Sequence, residues 1–442
     1  MEFGERAIKK AIKLGMDEAE AYINKIKNVN IQFASEIQNI KTTESIGIGL
    51  RVAKGKKLAM QATSILNEKE IDSIVEKAVK IANVAPEDQH WNHFNKIFGK
   101  SEVTGTYDKT FDSLDYDKIS EIILSSIDKA TEEDRKVLVT RGVFTFTIGS
   151  SYVVNNYNKG VEDKYTVTSG SINCKAIEGG ESSGSEGHIC RKLSDLKLED
   201  LSVIAAEKAL KYLGAKPFES TKMPVIMKND LFANILGIML GYNINAENIQ
   251  KGRSTFATKM DQQIASEDIS VIDDGTMKDG VFTRSFDTDG TPTQKTKIIS
   301  KGILKNILFD NYTALKGNTK STGNANRNYW TTPNPTTNNL ILQPGSTSLE
   351  DMIKDTKKGL FIENTIGEWL SRPTSGDLNA TVTHGYLIEN GEFTKPVTNV
   401  VIGGNIFDIL LNKIEVLGND LHNSFKVYSP SVKISEMTIA GK

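Results

Sequence analysis

The chain has 442 residues, more than one hydrophobic core usually serves, so two or three domains are expected. Its 54 basic and 56 acidic residues leave a formal charge of −2 and no basic footprint, which argues against direct nucleic-acid binding. At 38% hydrophobic and 25% charged it has the make-up of a soluble globular protein, with no apolar run long enough to cross a bilayer, so no membrane partner is expected.

The opening stretch, "MEFGERAIKKAIKLGMDEAEAY", mixes charge among its apolar residues and lacks a secretory core, which makes the cytoplasm the expected compartment. Within it a helix is predicted from Phe3 to Leu14, with Ile8, Ala11 and Ile12 on one face and Gly15 as its stop. A strand follows from Ala19 to about Phe33. "SIGIGLRVAKGKKLAMQATS" then gives two runs around a Lys54-Gly55 turn, the pattern of a β-hairpin. Asn67 and Glu70 stand as N-cap and N3 residues of a helix to about Ala82, with Ile71, Ile74, Val75, Ala78 and Ile81 on its buried face.

After a loop holding His90, Trp91 and His93, a third amphipathic helix is expected from Ser113 to Ala130. Alternation from Val137 to about Ala176 predicts a meander that turns at Asn158 to Gly160, and the Gly/Ser/Glu-rich "EGGESSGSEGH" is expected to be the loop that ends it. A fourth helix, Leu198 to Leu213, stops at Gly214 before Pro217. The domain boundary is placed there, giving residues 1–215 and 216–442.

The second half begins with a strand, Pro224 to Met227. "NILGIMLGYNINAENIQKGRS" (Asn234 to Ser254) then has the form of an apolar helix breaking into a polar loop. Being apolar on every side, the helix is expected to be buried. Beyond Ser254 come short strands and Gly/Asn/Asp turns, with helices near Ser348 to Lys357 and Asn405 to Leu411. The expected class is α+β: an N-terminal domain of helices on an antiparallel or mixed sheet, and a β-rich C-terminal domain around a buried helix.

Metal and nucleophile signatures are sparse. His90 and His93 form the one close histidine pair, but with no third ligand nearby they suit surface imidazoles better than zinc. "DTDG" (Asp287 to Gly290) starts like a calcium loop and lacks the rest, so carboxylates capping a tight turn are expected. Cys174 and Cys190 are expected as reduced thiols, although a bridge between them is conceivable at this spacing. Gly47 and Gly49 lie inside a strand pattern with no helix after them, which rules against a phosphate cradle. The "STGNANRNYW" loop carries Arg327 beside two exposed-looking aromatics, suited to a carboxylate or a peptide end unless it is a plain surface loop.

Taken in order, "GIGLRVAKGKKLAMQAT", "GRSTF", "DTDGTP", "KGILKNILFD", "STGNANR", "TSGDLNATVTHGYLIENGEFTKPV" and "GGNIFDILLNKIEVLGNDL" resemble the TldD/PmbA family over nearly the full chain. Its members were described as modulators of DNA gyrase and as metallopeptidases. The resemblance implies two branches that pair. TldD-type chains carry H-E-x-x-x-H on the buried helix, two histidine ligands and a glutamate that activates water, with a cysteine near the C-terminus. The matching positions here are Gly237, Ile238, Met239, Leu240, Gly241 and Tyr242, so both ligands and the glutamate are missing. The tail has no cysteine, only His422 in the neighbourhood. The chain therefore resembles the PmbA (TldE) branch, and Ile238, Met239 and Leu240 are expected to fill the core where ligands stood.

This resemblance implies a non-catalytic subunit with no metal and no cofactor, partnered with a TldD-type zinc peptidase in a heterodimer or larger assembly that cuts unfolded peptides. Peptides would lie as an added strand on a sheet edge. Tyr242, Asn243 and Arg253 beside the lost site, Arg327, and Ser375 and Asp377 of the "TSGD" turn are the candidate contacts. The rival expectation is a stand-alone homodimer, either a peptide-binding module or an enzyme of another mechanism. Gyrase regulation rests on the family's name alone.

Overall fold

The computed structural model describes residues 1–132 and 134–441. The N-terminal half is built on one antiparallel sheet whose strands are unusually long: β1 (Glu18–Phe33), β2 (Ile37–Lys54), β3 (Lys57–Thr63), β4 (Val137–Asn155), β5 (Val161–Ile177) and β6 (Glu181–Cys190), in the order β3-β2-β1-β4-β5-β6. The β2–β3 hairpin turns over Gly55 (φ 56°), with Lys54 opposite Lys57. Four helices cover one face: α1 (Glu2–Lys13), α2 (Glu68–Val84), α3 (Tyr116–Glu132) and α4 (Leu198–Lys211). Asn67 caps α2 by accepting from the Glu70 N–H, as its position in the sequence predicts.

Strand periodicity decides which residues meet the helices. In β1, Ala19, Ala21 and Ile23 pack with α1 and α2, and Val29, Ile31 and Phe33 pack with α3 and α4; all six are odd-numbered. The even-numbered Glu20, Tyr22 and Asn24 therefore face the other way, toward the C-terminal half.

One expected loop is a strand. The "EGGESSGSEGH" stretch forms most of β6, paired with β5 from Thr168↔Cys190 to Ile177↔Glu181. Its signal is missing because small residues do the work here: a Cβ at Gly184 would lie 2.1 Å from the Ala205 carbonyl oxygen, so α4 reaches the sheet only over glycine.

The C-terminal half begins with β7 (Thr221–Met227). Strands Lys358–Ile366, β7, Val432–Ala440, Val400–Asn405 and Asp377–Glu389 pair in that order, and Lys358–Ile366 pairs back with Asp377–Glu389, closing a five-stranded barrel. A second sheet contains Val271–Asp274, Lys295–Ser300, Leu340–Leu342, Val427–Ser429 and His422–Ser424. Between barrel and second sheet runs α5 (Asn229–Asn243), whose Leu231, Phe232, Ile235, Leu236, Met239 and Leu240 join both into one core. No described helix is long and apolar enough to cross a membrane.

Candidate functional site

Although the sequence predicts burial all round, one strip of α5 is open. Asn234 is exposed and Gly237, Ile238, Gly241 and Tyr242 are half-buried, while Met239 and Leu240 are 1% exposed. Of the three residues expected to fill the core, Met239 and Leu240 do so and Ile238 only leans on it. The strip faces out because the second sheet and barrel meet the other flanks and leave this one uncovered. It includes Gly237, Ile238 and Tyr242, which the resemblance matched to the H-E-x-x-x-H motif.

The residues present there do not fit a metal ion. Position 237 lies against the strand Val427–Ser429, and a Cβ on Gly237 would come 2.9 Å from Val427 Cγ2, so a histidine could enter only if Val427 moved. Ile238 and Tyr242 supply neither an imidazole nor a carboxylate. The ring centroid of His422, on the strand beside α5, is 5.7 Å from that of His188 on β6. Among the described residues no group of three or more His, Cys, Asp or Glu side chains is placed to hold a metal. His93 has a ring nitrogen 2.8 Å from the Phe94 carbonyl oxygen. Both cysteines are buried free thiols; burial pushes Cys174 up to about 11 and Cys190 up to about 12, which leaves them protonated and inert.

The other candidate residues separate into three groups. Asn243 is fully buried and spent on structure, donating to the Met239 and Pro373 carbonyls and accepting from Ser254 Oγ, so it is a knot rather than a contact. The expected polar loop after α5 is in part a short helix, Ala246–Gln250, capped by Asn245. Through Pro373 and Ser254 the Asn243 knot gathers the exposed Arg253 and the exposed turn in which Ser375 Oγ donates to Asp377 at 2.6 Å. Arg327 is outside this group and is not on a surface loop. Its side chain is 0% exposed, its Nη2 donates to Glu20 Oε1 at 2.5 Å, and its guanidinium lies 4.8 Å from the centre of the Tyr22 ring.

Two glycines explain how that loop gets inside. A Cβ on Gly49 would sit 2.0 Å from the Tyr329 carbonyl oxygen, and one on Gly47 would sit 2.4 Å from the Tyr329 ring, so β2 is glycine where residues 327–330 dock. The seam they form is ionic. Arg51 bridges Glu20 and Asp289, with Asp287 and Asp310 near by. Asp287 accepts from the amides of Asp289, Thr291 and Ala325, so "DTDG" is a carboxylate-capped turn, though wholly buried.

Sequence reasoning missed a second seam. Glu363 on the barrel meets Lys208 of α4 at 3.3 Å and Lys228 at 3.5 Å, and Tyr212 donates to it at 2.9 Å. Burial alone would raise this carboxyl, but the lysines around it overcome burial and hold it at about 2. Beside it a cavity of about 520 Å³ opens between β5, β6 and the α5 end of the C-terminal half, lined by Ser169, Ser171, Glu186, His188, Asp230 and His422. Burial first, then the nearby His422, lowers the basicity of His188. The β6 edge here is not free for an added strand: the Ser183 carbonyl oxygen lies 2.6 Å from a His384 ring nitrogen, and the Ser185 and Ile189 carbonyls accept from Lys208 and Asn423. No sequence signal pairs these residues, which come from separate elements.

The class of protein is thus α+β: a helix-backed antiparallel sheet joined to a β-rich half with a closed five-stranded barrel. Models of the PmbA/TldA metallopeptidase domain 1, central domain and C-terminal domain match residues 19–82, 109–213 and 220–441. An uncharacterized protein of Methanocaldococcus jannaschii is 30% identical over 430 residues, covering 96% of this chain and 98% of that one. Metalloprotease PmbA of Escherichia coli O157:H7 is 25% identical, covering 99% and 96%. The crystal structure of TldE from Thermococcus kodakarensis superposes with a TM-score of 0.92 at 22% identity, covering 99% and 100%. The chain belongs to the PmbA/TldD metallopeptidase family and is of its PmbA/TldE-like branch.

Proposed function

We propose that this chain is a metal-free, non-catalytic partner subunit of a TldD-type zinc peptidase that degrades unfolded peptides. The observation that carries this reading is the α5 strip: it is open, and Gly237, Ile238 and Tyr242 on it, which the resemblance matches to two histidines and a glutamate, offer no metal ligand. A second feature supports a partner. Glu368 accepts from Asn234 of the strip, and next to it Trp369 and Leu370 are 59% and 77% exposed, an apolar group of the kind that assembly covers. The subunit then contributes walls and an interface, while the partner contributes zinc, glutamate and water. A lasting interface of this sort commonly buries more than about 2,000 Å².

The test is to mix the chain with a TldD-type chain and read assembly by native mass spectrometry and activity on an unfolded peptide. A hetero-oligomer with activity that neither chain has alone is expected. Homodimers only, with activity no greater than the TldD-type chain gives by itself, would favour the stand-alone peptide-binding module. About one zinc per purified chain, lost together with chelator-sensitive proteolysis, would overturn the metal-free reading.

A further inference from the structure

A second cavity, of about 400 Å³, lies between the sheet and the C-terminal half, on the face of β5 that looks away from the helices. Odd-numbered residues of β5 line both cavities in turn: Asp163, Tyr165 and Val167 the second, Ser169, Ser171 and Asn173 the first. Phe425 belongs to both linings. The two therefore lie end to end along β5, which spans about 30–35 Å from Asp163 to Asn173 at the usual rise per residue.

At its far end this path is lined by Lys426, Arg284, Arg191 and Arg327 together with Asp163 and Asp287. Lys426 Nζ donates to Thr336 Oγ1. Arg284 donates through Nε to Asn338 Oδ1 and through Nη2 to the Ala325 carbonyl. Burial, and to a lesser degree the nearby Arg284, lower the basicity of Lys426 against the pull of Asp273, and among the described residues neither cation makes an ion pair. Arg327 adds Nε and Nη1, both buried without a hydrogen bond.

The carboxylates near this end are held by neutral donors and attract Lys426 and Arg284 through space without contacting them. Asp163 accepts from the Ser285 amide and hydroxyl, Asp287 from three backbone amides, and Asp273, which acts on Lys426 through space, from Asn324 and the Asn338 amide. Lys426 and Arg284 thus have carboxylates near them, Asp273 and Asp287, but no carboxylate in direct contact, and a ligand carboxylate in the cleft would supply the charge-assisted hydrogen bonds that these do not.

Around the charges the walls are aromatic. Phe282 and Phe425 meet edge to face at 4.5 Å, and Tyr22, Tyr165 and Phe286 complete the lining. Phe425 is 57% exposed at the mouth and is held at φ 55°, a strained backbone for a bulky residue.

We propose that this cavity binds the C-terminal carboxylate of a peptide whose last residue is aromatic or large and apolar, with Lys426 and Arg284 on the carboxylate and Phe282 and Phe425 on the side chain. A chain terminus is favoured over a free acid because the cavity ends a path along β5 instead of standing alone. End-anchoring also fits a face whose β6 edge carbonyls are taken. The choice of a peptide rests on the proposed function, but binding to this chain alone does not require the zinc partner.

The experiment is calorimetric titration of the full chain, without partner, with Gly-Gly-Phe as the free acid, with the same tripeptide as its C-terminal amide, and with phenylacetate. The free acid is expected to bind at least about tenfold more tightly than the amide and than phenylacetate. Lys426→Met should bring the acid down to the level of the amide while the melting temperature holds. Phe425→Ala, at an exposed position, should weaken all three ligands. Equal binding of acid and amide, or none at about 10 mM acid, would overturn the proposal. Phenylacetate binding as tightly as the tripeptide would reject the peptide terminus in favour of small aromatic acids. A result against this pocket leaves assembly with a zinc subunit untouched, since that is read by mixing.

Discussion

The two faces of the N-terminal sheet hold their neighbours by different physics. Toward α1 to α4, β1 presents Ala19, Ala21, Ile23, Val29, Ile31 and Phe33, and the contact is dry and apolar. Toward the C-terminal half the same strand presents Glu20 and Tyr22, and the contact is an ion cluster in which Glu20, Asp289 and Asp310 gather around Arg51 and Arg327, with Asp287 beside Asp289. Apolar burial fixes the helices without much regard to geometry. The charged seam is stable only in one arrangement, so it sets how the halves meet and leaves a cavity with cations to spare.

The largest way to break this comparison is through the dry face. Phe144 is 1% exposed between the sheet and its helices. Phe144→Ala should cost about 3–5 kcal/mol, with a melting temperature that falls equally at low and high pH. On the seam, Glu20→Gln keeps shape but leaves Arg51 and Arg327 short of an anion, and a loss of about 1–3 kcal/mol is expected in urea unfolding. If Glu20→Gln cost nothing, the seam would not be holding the halves.

The pH dependence separates the faces next. Burial first, then Asp289 close by, pushes Asp287 and Asp310 up from 3.8 to about 7 each. The folded seam therefore binds protons that the unfolded chain has released. Its contribution is fully present below the unfolded value and is lost as pH rises from about 4 through about 7. The chain should be less stable at about pH 8 than at about pH 5, on the order of 1–2 kcal/mol, by thermal melts. Asp310→Asn keeps the cap on Thr313 and should flatten that slope. A slope unchanged in this variant would place the titrating group elsewhere.

How much of this was legible follows the same division. The apolar face announces itself by period: β1, α2 with its Asn67 cap and α4 lie within a few residues of where alternation and capping put them, and the β2–β3 hairpin turns at Lys54-Gly55 as expected, although β2 begins at Ile37, eight residues before the expected Ser45. What the pattern lost is what depends on other segments. β6 is a strand because β5 pairs with it and α4 packs over Gly184, and neither partner is visible in a Gly/Ser-rich run. Arg327 looks exposed in "STGNANRNYW" because its anion, Glu20, lies 307 residues away. The resemblance singled out Gly237, Ile238 and Tyr242 on α5. Their half-exposure could not be found that way, because apolar content on α5 does not tell which side the second sheet covers.

The smallest effect tests that open side of α5. Gly237 and Gly241 are one helical turn apart and differ in what a side chain would meet: Val427 Cγ2 at 2.9 Å for the first, nothing within 4 Å for the second. Neither has a positive φ, so both should welcome alanine in backbone terms. Gly241→Ala should therefore stabilise the chain by about 0.5–1 kcal/mol through helix propensity, a rise of a few degrees in melting temperature. Gly237→Ala should gain less or lose, because the stiff Val427 side chain must give way. A larger residue at 241 turns the same space into a test of function: Gly241→Phe has room to fold, and it should weaken assembly with a TldD-type chain if the strip faces the partner. Gly241→Phe that melts normally and assembles as well as the parent would move the interface away from α5, while leaving the sheet's charged seam and its cavity as they are.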